Sequence, residues 1–143
     1  SFQISKCPNH INWLIFMVNL YTSSCLYSGI FVSKKTIMFS SYLCHPSMAN
    51  NELSGPLIQI LFYLKLKKLK KRRFNYLFVI NPETIGSICF IHKNLKFLKK
   101  NLMSGIVLTC LGGPEKILSY KLSRQGNSIF DDYFKKLAKK KKN

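Results

Sequence analysis

Acidic side chains are what this sequence lacks. Against 23 Lys+Arg it sets only 5 Asp+Glu, a formal net charge of +18 on 143 residues. A small soluble domain usually carries a net charge of about 2–8 in magnitude, so this chain repels itself unless something anionic binds it. The shortage excludes an acidic solvating protein and leaves few carboxylates for chemistry. They are Glu52, Glu83, Glu115, Asp131 and Asp132, each beside a turn or at a predicted helix start. No two of them pair in a way that suggests general acid–base work.

Other scarcities share one pattern. Ala is 2, Val 4, Glu 3 and Gly 7, and Lys outnumbers Arg 20 to 3. The missing types, with Asp, are read from codons beginning in G, while the abundant Lys, Asn, Ile, Phe, Tyr and Met come from A/T-rich codons. Two origins fit: a protein of an A/T-rich genome, or the translation of an A/T-rich non-coding frame without selected function. Seven glycines exclude a collagen. Gly112-Gly113-Pro114 reads as a turn, without the Gly-Lys-Ser/Thr ending of a phosphate loop. Scarce Arg argues against bidentate reading of base edges.

Five cysteines (Cys7, Cys25, Cys44, Cys89, Cys110) are odd in number and irregularly spaced, unlike a secreted disulfide framework. Reduced, mostly buried thiols are expected. Cys7-x-x-His10, Cys89-x-x-His92 and Cys44-His45 are the only Cys/His pairings, and their separation fits no zinc-finger spacing. The sequence therefore predicts no metal site, no catalytic residue, no cofactor, no small-molecule substrate and no enzymatic activity.

What the chain does have is apolar length and clustered lysine. Residues 7–33 carry no charged side chain, and Ile11–Val32 is long enough to span a bilayer of about 30 Å as a helix. Asn12, Asn19, Thr22, Ser23 and Ser24 interrupt it, so a signal peptide and a soluble core element remain rival readings. Lys34 and Lys35 follow it, which would place the basic remainder in the cytoplasm.

Residues 40–56 read as a connector, rich in turn residues and closed by Ser54-Gly55-Pro56. Leu57–Arg73 begins apolar and ends with seven basic residues in nine, an amphipathic lysine-rich helix pattern. Phe74, Tyr76, Phe78 and Ile80 then alternate as a strand does. Ile91, Leu95, Leu98 and Leu102 return to helical spacing. At the end, Ser128 and Asp131 form a capping box ahead of Phe130, Phe134 and Leu137.

The resulting expectation is a small, mainly α protein with one membrane-length apolar helix followed by a basic amphipathic helix. The alternative is a small α+β fold with short strands at 74–80, 87–92, 105–111 and 116–123. Four stretches follow: 1–39 apolar, 40–56 connector, 57–128 basic and apolar, 129–143 a C-terminal helix with a lysine tail. The expected function is non-enzymatic association with an anionic membrane surface. Its contacts would be Lys65, Lys67, Lys68, Lys70, Lys71, Arg72 and Arg73. The alternative is a cytoplasmic or nuclear module binding nucleic acid without sequence preference, with those cations on phosphates and Phe74, Tyr76 and Phe78 stacking on bases.

Overall fold

The computed structural model describes residues 35–69, 72–114 and 118–140. They form strand β1 (Thr36–Tyr42), helix α1 (Ala49–Lys67), strand β2 (Asn75–Asn81), helix α2 (Ile85–Asn101), strand β3 (Leu102–Val107) and helix α3 (Ile129–Lys140). The mainly α expectation is thereby overturned: the centre is a three-stranded sheet of order β2-β1-β3, parallel throughout. Among the described residues no helix is long and apolar enough to cross a membrane. The expected spanning segment Ile11–Val32 lies outside the described residues.

Parallel strands need a crossover between them, and α1 and α2 supply the two. The apolar alternation of β2 sets which face each covers. Phe78 and Ile80 point to one side with Phe39, Tyr63 and Leu66, the layer under α1. Leu77 and Val79 point to the other with Met38, Phe90, Phe97 and Leu98, the layer under α2. Covered on both faces, β2 is buried from Leu77 to Asn81, and each of its large apolar side chains contributes about 1.5–3 kcal/mol of transfer free energy. Phe39 anchors the α1 layer, its ring 5.4 Å from Phe78 and 5.5 Å from Phe62. Phe130 of α3 approaches the same ring at 6.5 Å.

Of the alternative strands, 74–80 coincides with β2 apart from one residue at each end, and 105–111 overlaps β3 at its C-terminal half. The segment 87–92 is instead the start of α2, because a short apolar run suits a helix buried on one side as well as a strand. The described part of 116–123 holds no strand. The expected helix at Leu57–Arg73 begins earlier, at Ala49, and ends at Lys67. Ser54-Gly55-Pro56 sits inside it rather than breaking the chain.

Gly55 explains that departure. A Cβ there would meet the Leu108 carbonyl oxygen at 2.1 Å and Ser41 Cβ at 2.8 Å. Glycine lets α1 lie directly against β1 and the segment that follows β3.

Candidate functional site

In a parallel sheet every strand's carboxyl end points to the same edge, and the following helices begin there. With order β2-β1-β3 the chain leaves β1 to one side and later returns to its other side, so the crevice at the carboxyl ends is a topological switch point. Ligand sites of open α/β sheets form there. The backbone marks this edge. Among the described residues three non-glycine positions have φ in the left-handed region: Ser47 at 66°, Thr84 at 56° and Cys110 at 53°. One stands in each segment leaving a strand's carboxyl end. For the β-branched Thr84 this conformation is a strain of about 1–3 kcal/mol.

The segment after β1 carries Cys44 and His45. Glu52, one turn into α1, is buried and turns its carboxylate back under them, one oxygen accepting the Cys44 backbone N–H. The other oxygen, Oε1, is equally buried and has no hydrogen-bond partner. Cys44 Sγ accepts the backbone N–H of Glu83, which follows β2, at 3.2 Å. His45 Nε2 stands 2.8 Å from Glu83 Oε2. That hydrogen bond raises the His45 pKa above its ordinary value; slight desolvation opposes it, and the charges of Glu52 and Glu83 reinforce it. Cys44 Sγ, a His45 ring nitrogen and a Glu52 carboxylate oxygen all lie within 4.8 Å of one another.

The other side of the crevice is stitched together by the first turns of α1. Thr109 Oγ1 lies 2.8 Å from Tyr42 Oη and 3.2 Å from Asn51 Oδ1. The Leu111 N–H donates to Ser54 Oγ at 2.9 Å, and the Gly112 N–H to Asn50 Oδ1 at 2.7 Å. These bonds fix the start of α1, and with it the position of Glu52.

Thiolate, imidazole and carboxylate are the ligand types that zinc and neighbouring divalent metals take. Three protein ligands leave a fourth position for water or substrate. Ligand atoms around a tetrahedral zinc stand roughly 3.3–3.8 Å apart given its bond lengths, so the cluster would close by no more than about 1.5 Å on binding. Glu83 holds His45 Nε2, which leaves Nδ1 as the nitrogen that would ligate; a carboxylate on the other nitrogen fixes a ligating histidine's tautomer.

The residues picked from the sequence lie elsewhere. Lys65, Lys67 and Lys68 end α1, and Arg72 and Arg73 follow it; Lys70 and Lys71 lie outside the described residues. Phe74 sits under the Arg73 guanidinium, 5.3 Å from ring centre to Cζ. Tyr76 is half-buried and Phe78 buried, both stacked on Phe39 in the core. Both rings pack against Phe39, and Tyr76 keeps part of its surface open. Of the Cys/His pairings, Cys89 and His92 are exposed on α2, and Cys7 and His10 lie outside the described residues. Glu52 and Glu83 went unpaired in the sequence because only the parallel alignment of β1 and β2 brings them to one edge. For Glu83 the available signal was its position just past β2; Glu52 carried none, because β1 was not legible.

Comparison with known proteins adds two findings. Residues 15–143 match the family described as "Domain of unknown function (DUF4910)". A protein of Clostridium acetobutylicum, provisionally named a polysaccharide biosynthesis protein with aminopeptidase-like domain, is 38% identical over 104 residues. The match takes in 73% of this chain and 23% of that relative's length. No solved structure matches.

Proposed function

The chain belongs to the DUF4910 family, and from that premise we propose that its strand-carboxyl edge is the hydrolytic site of an aminopeptidase-like domain. In this reading Cys44, His45 and Glu52 hold a divalent metal and the substrate is an amide bond near a peptide's amino terminus. The observation that carries it is the buried Glu52 carboxylate, which brings one oxygen within 4.8 Å of a thiol and an imidazole while its Oε1 has no hydrogen-bond partner. A buried carboxylate oxygen without a donor is costly, and a cation would remove that cost.

The relative's name supplies the activity class. It departs from the expectation of no catalysis, which rested on the carboxylates being scattered in sequence. A bound metal would polarise the scissile carbonyl and acidify a water molecule. The chain's own groups do the rest. Glu83, half-exposed at the rim, holds His45 Nε2 at 2.8 Å and orients its ring. Glu52 and the Asn50–Ser54 stitching fix the ligand cage from below.

Calorimetric titration of the full chain with zinc, together with hydrolysis of leucine p-nitroanilide, tests this. Stoichiometric binding and zinc-dependent release of p-nitroaniline, both lost in Cys44→Ser, are expected. Absence of zinc binding by the wild-type chain overturns the proposal.

A further inference from the structure

The opposite edge of the sheet has a different character. In each β–α–β unit the helix runs back against the strands, so α1 and α2 end together at the strands' amino edge. Both end in lysine: Lys65 and Lys68 close α1, and Lys99 and Lys100 close α2. Arg72 and Arg73 stand in the segment between α1 and β2. No acid lies in these helix ends or in that segment, and the described acids nearest in sequence, Glu52 and Glu83, occupy the other edge. Topology thus converts a diffuse excess of lysine into one cationic pole.

Apolar side chains stand among these cations. Leu69, just past α1, is 52% exposed, and Leu64 and Leu61 on the last turns of α1 are 48% and 60% exposed. Large apolar groups beside clustered cations are what an anionic lipid surface takes up: phosphates meet the lysines and acyl chains meet the leucines. A nucleic-acid backbone would use the lysines but leave the leucines in water. It would also need aromatic faces for stacking, and Tyr76 and Phe78 are packed inward on Phe39.

We propose that this amino-edge pole, with Lys65, Lys68, Leu69 and Arg72 at and after the end of α1 and Lys99 and Lys100 at the end of α2, docks the protein peripherally on an anionic membrane. The Cys44/His45 edge then faces away from the lipid. The surface is composite, and that separates it from a single basic sequence run: α2 contributes although its lysines lie far along the chain from Leu57–Arg73.

Co-sedimentation of the full chain with phosphatidylcholine vesicles containing phosphatidylserine is the test, run beside filter binding to single-stranded RNA. Binding should fall at least tenfold on pure phosphatidylcholine. It should fall severalfold in Lys99→Gln/Lys100→Gln and in Leu69→Ser, with Leu69→Ser leaving RNA affinity unchanged. These exposed positions carry no core packing, and circular dichroism of each variant verifies the fold. Equal binding to neutral vesicles overturns the proposal. So does an unaltered Lys99→Gln/Lys100→Gln, or RNA binding tighter than vesicle binding with no effect of Leu69→Ser.

Discussion

One carboxylate oxygen of Glu52 accepts the backbone N–H of Cys44, and the other, equally buried, meets no donor at all. A carboxylate half-satisfied in the interior weakens the fold and prepares a cation site at the same time. The two consequences separate in one variant. Glu52→Gln should leave the metal-free chain as stable as wild type or more stable by about 1–3 kcal/mol, because an uncompensated buried charge is removed. Zinc at a hundredfold over its dissociation constant should stabilise the wild type by about 2.7 kcal/mol and Glu52→Gln hardly at all. Urea unfolding with and without zinc reads both effects.

Gly55 holds Glu52's helix against the segment after β3. Gly55→Ala drives a methyl group to 2.1 Å from the Leu108 carbonyl oxygen, a clash with backbone that no rotamer relieves. A loss of about 1–3 kcal/mol is expected, with weaker zinc binding because α1 must move. Chemical denaturation and calorimetry of this variant check the pair of effects.

Thr84 is strained at φ 56°, and its side chain caps nothing at the start of α2. Thr84→Gly should therefore gain about 1 kcal/mol in stability. It should also lower hydrolysis, since Glu83 beside it loses its fixed backbone. A rise in melting temperature together with a fall in turnover supports the site; a rise in both contradicts it.

Asp131 shows where pH enters. It is fully buried and accepts hydrogen bonds from Tyr120 Oη at 2.9 Å, Ser123 N–H at 3.0 Å and Ser128 N–H at 2.7 Å, besides the Ser123 hydroxyl. Chiefly through the Ser123 hydroxyl, and against the opposing cost of burial, its carboxyl is held well below the usual carboxylate range. A depressed folded-state value gives stability that is present above the unfolded pKa of about 3.9 and is lost as pH falls toward the folded value. Acidification from about pH 4 downward should thus loosen α3 from Tyr120 and Phe134, whose rings stack at 4.2 Å. Near-ultraviolet circular dichroism follows it, and Asp131→Asn should show the loosened signal already at neutral pH.

How far the sequence revealed this fold depends on the element. β2 was legible because Phe74, Tyr76, Phe78 and Ile80 recur at every second position, with apolar Leu77 and Val79 between them on the other face. The capping box at Ser128 and Asp131 was legible because its two bonds are local, and both are made. β1 was hidden: Ser40 and Ser41 read as connector, yet Ser41 is buried and meets Gln59 of α1 at 2.8 Å. The start of α1 was hidden by turn chemistry at Ser54-Gly55-Pro56, which here serves close helix–sheet packing. The site was the least legible part. His45 and Glu83 lie 38 residues apart and meet only through the β1–β2 register. Membership of a family matched over residues 15–143 is also not what a non-coding frame would give, so base composition explains the lysines but not the chain.

The central claim is that Cys44, His45 and Glu52 are ligands of one metal ion, and cobalt substitution tests it most directly. Cobalt(II) added to the reduced full chain should produce a thiolate-to-metal charge-transfer band with visible bands of tetrahedral geometry. The charge-transfer band should vanish in Cys44→Ser, and binding should weaken in His45→Ala and Glu52→Gln. An octahedral cobalt spectrum without a thiolate band in the wild-type chain, or a charge-transfer band that survives Cys44→Ser, would contradict it.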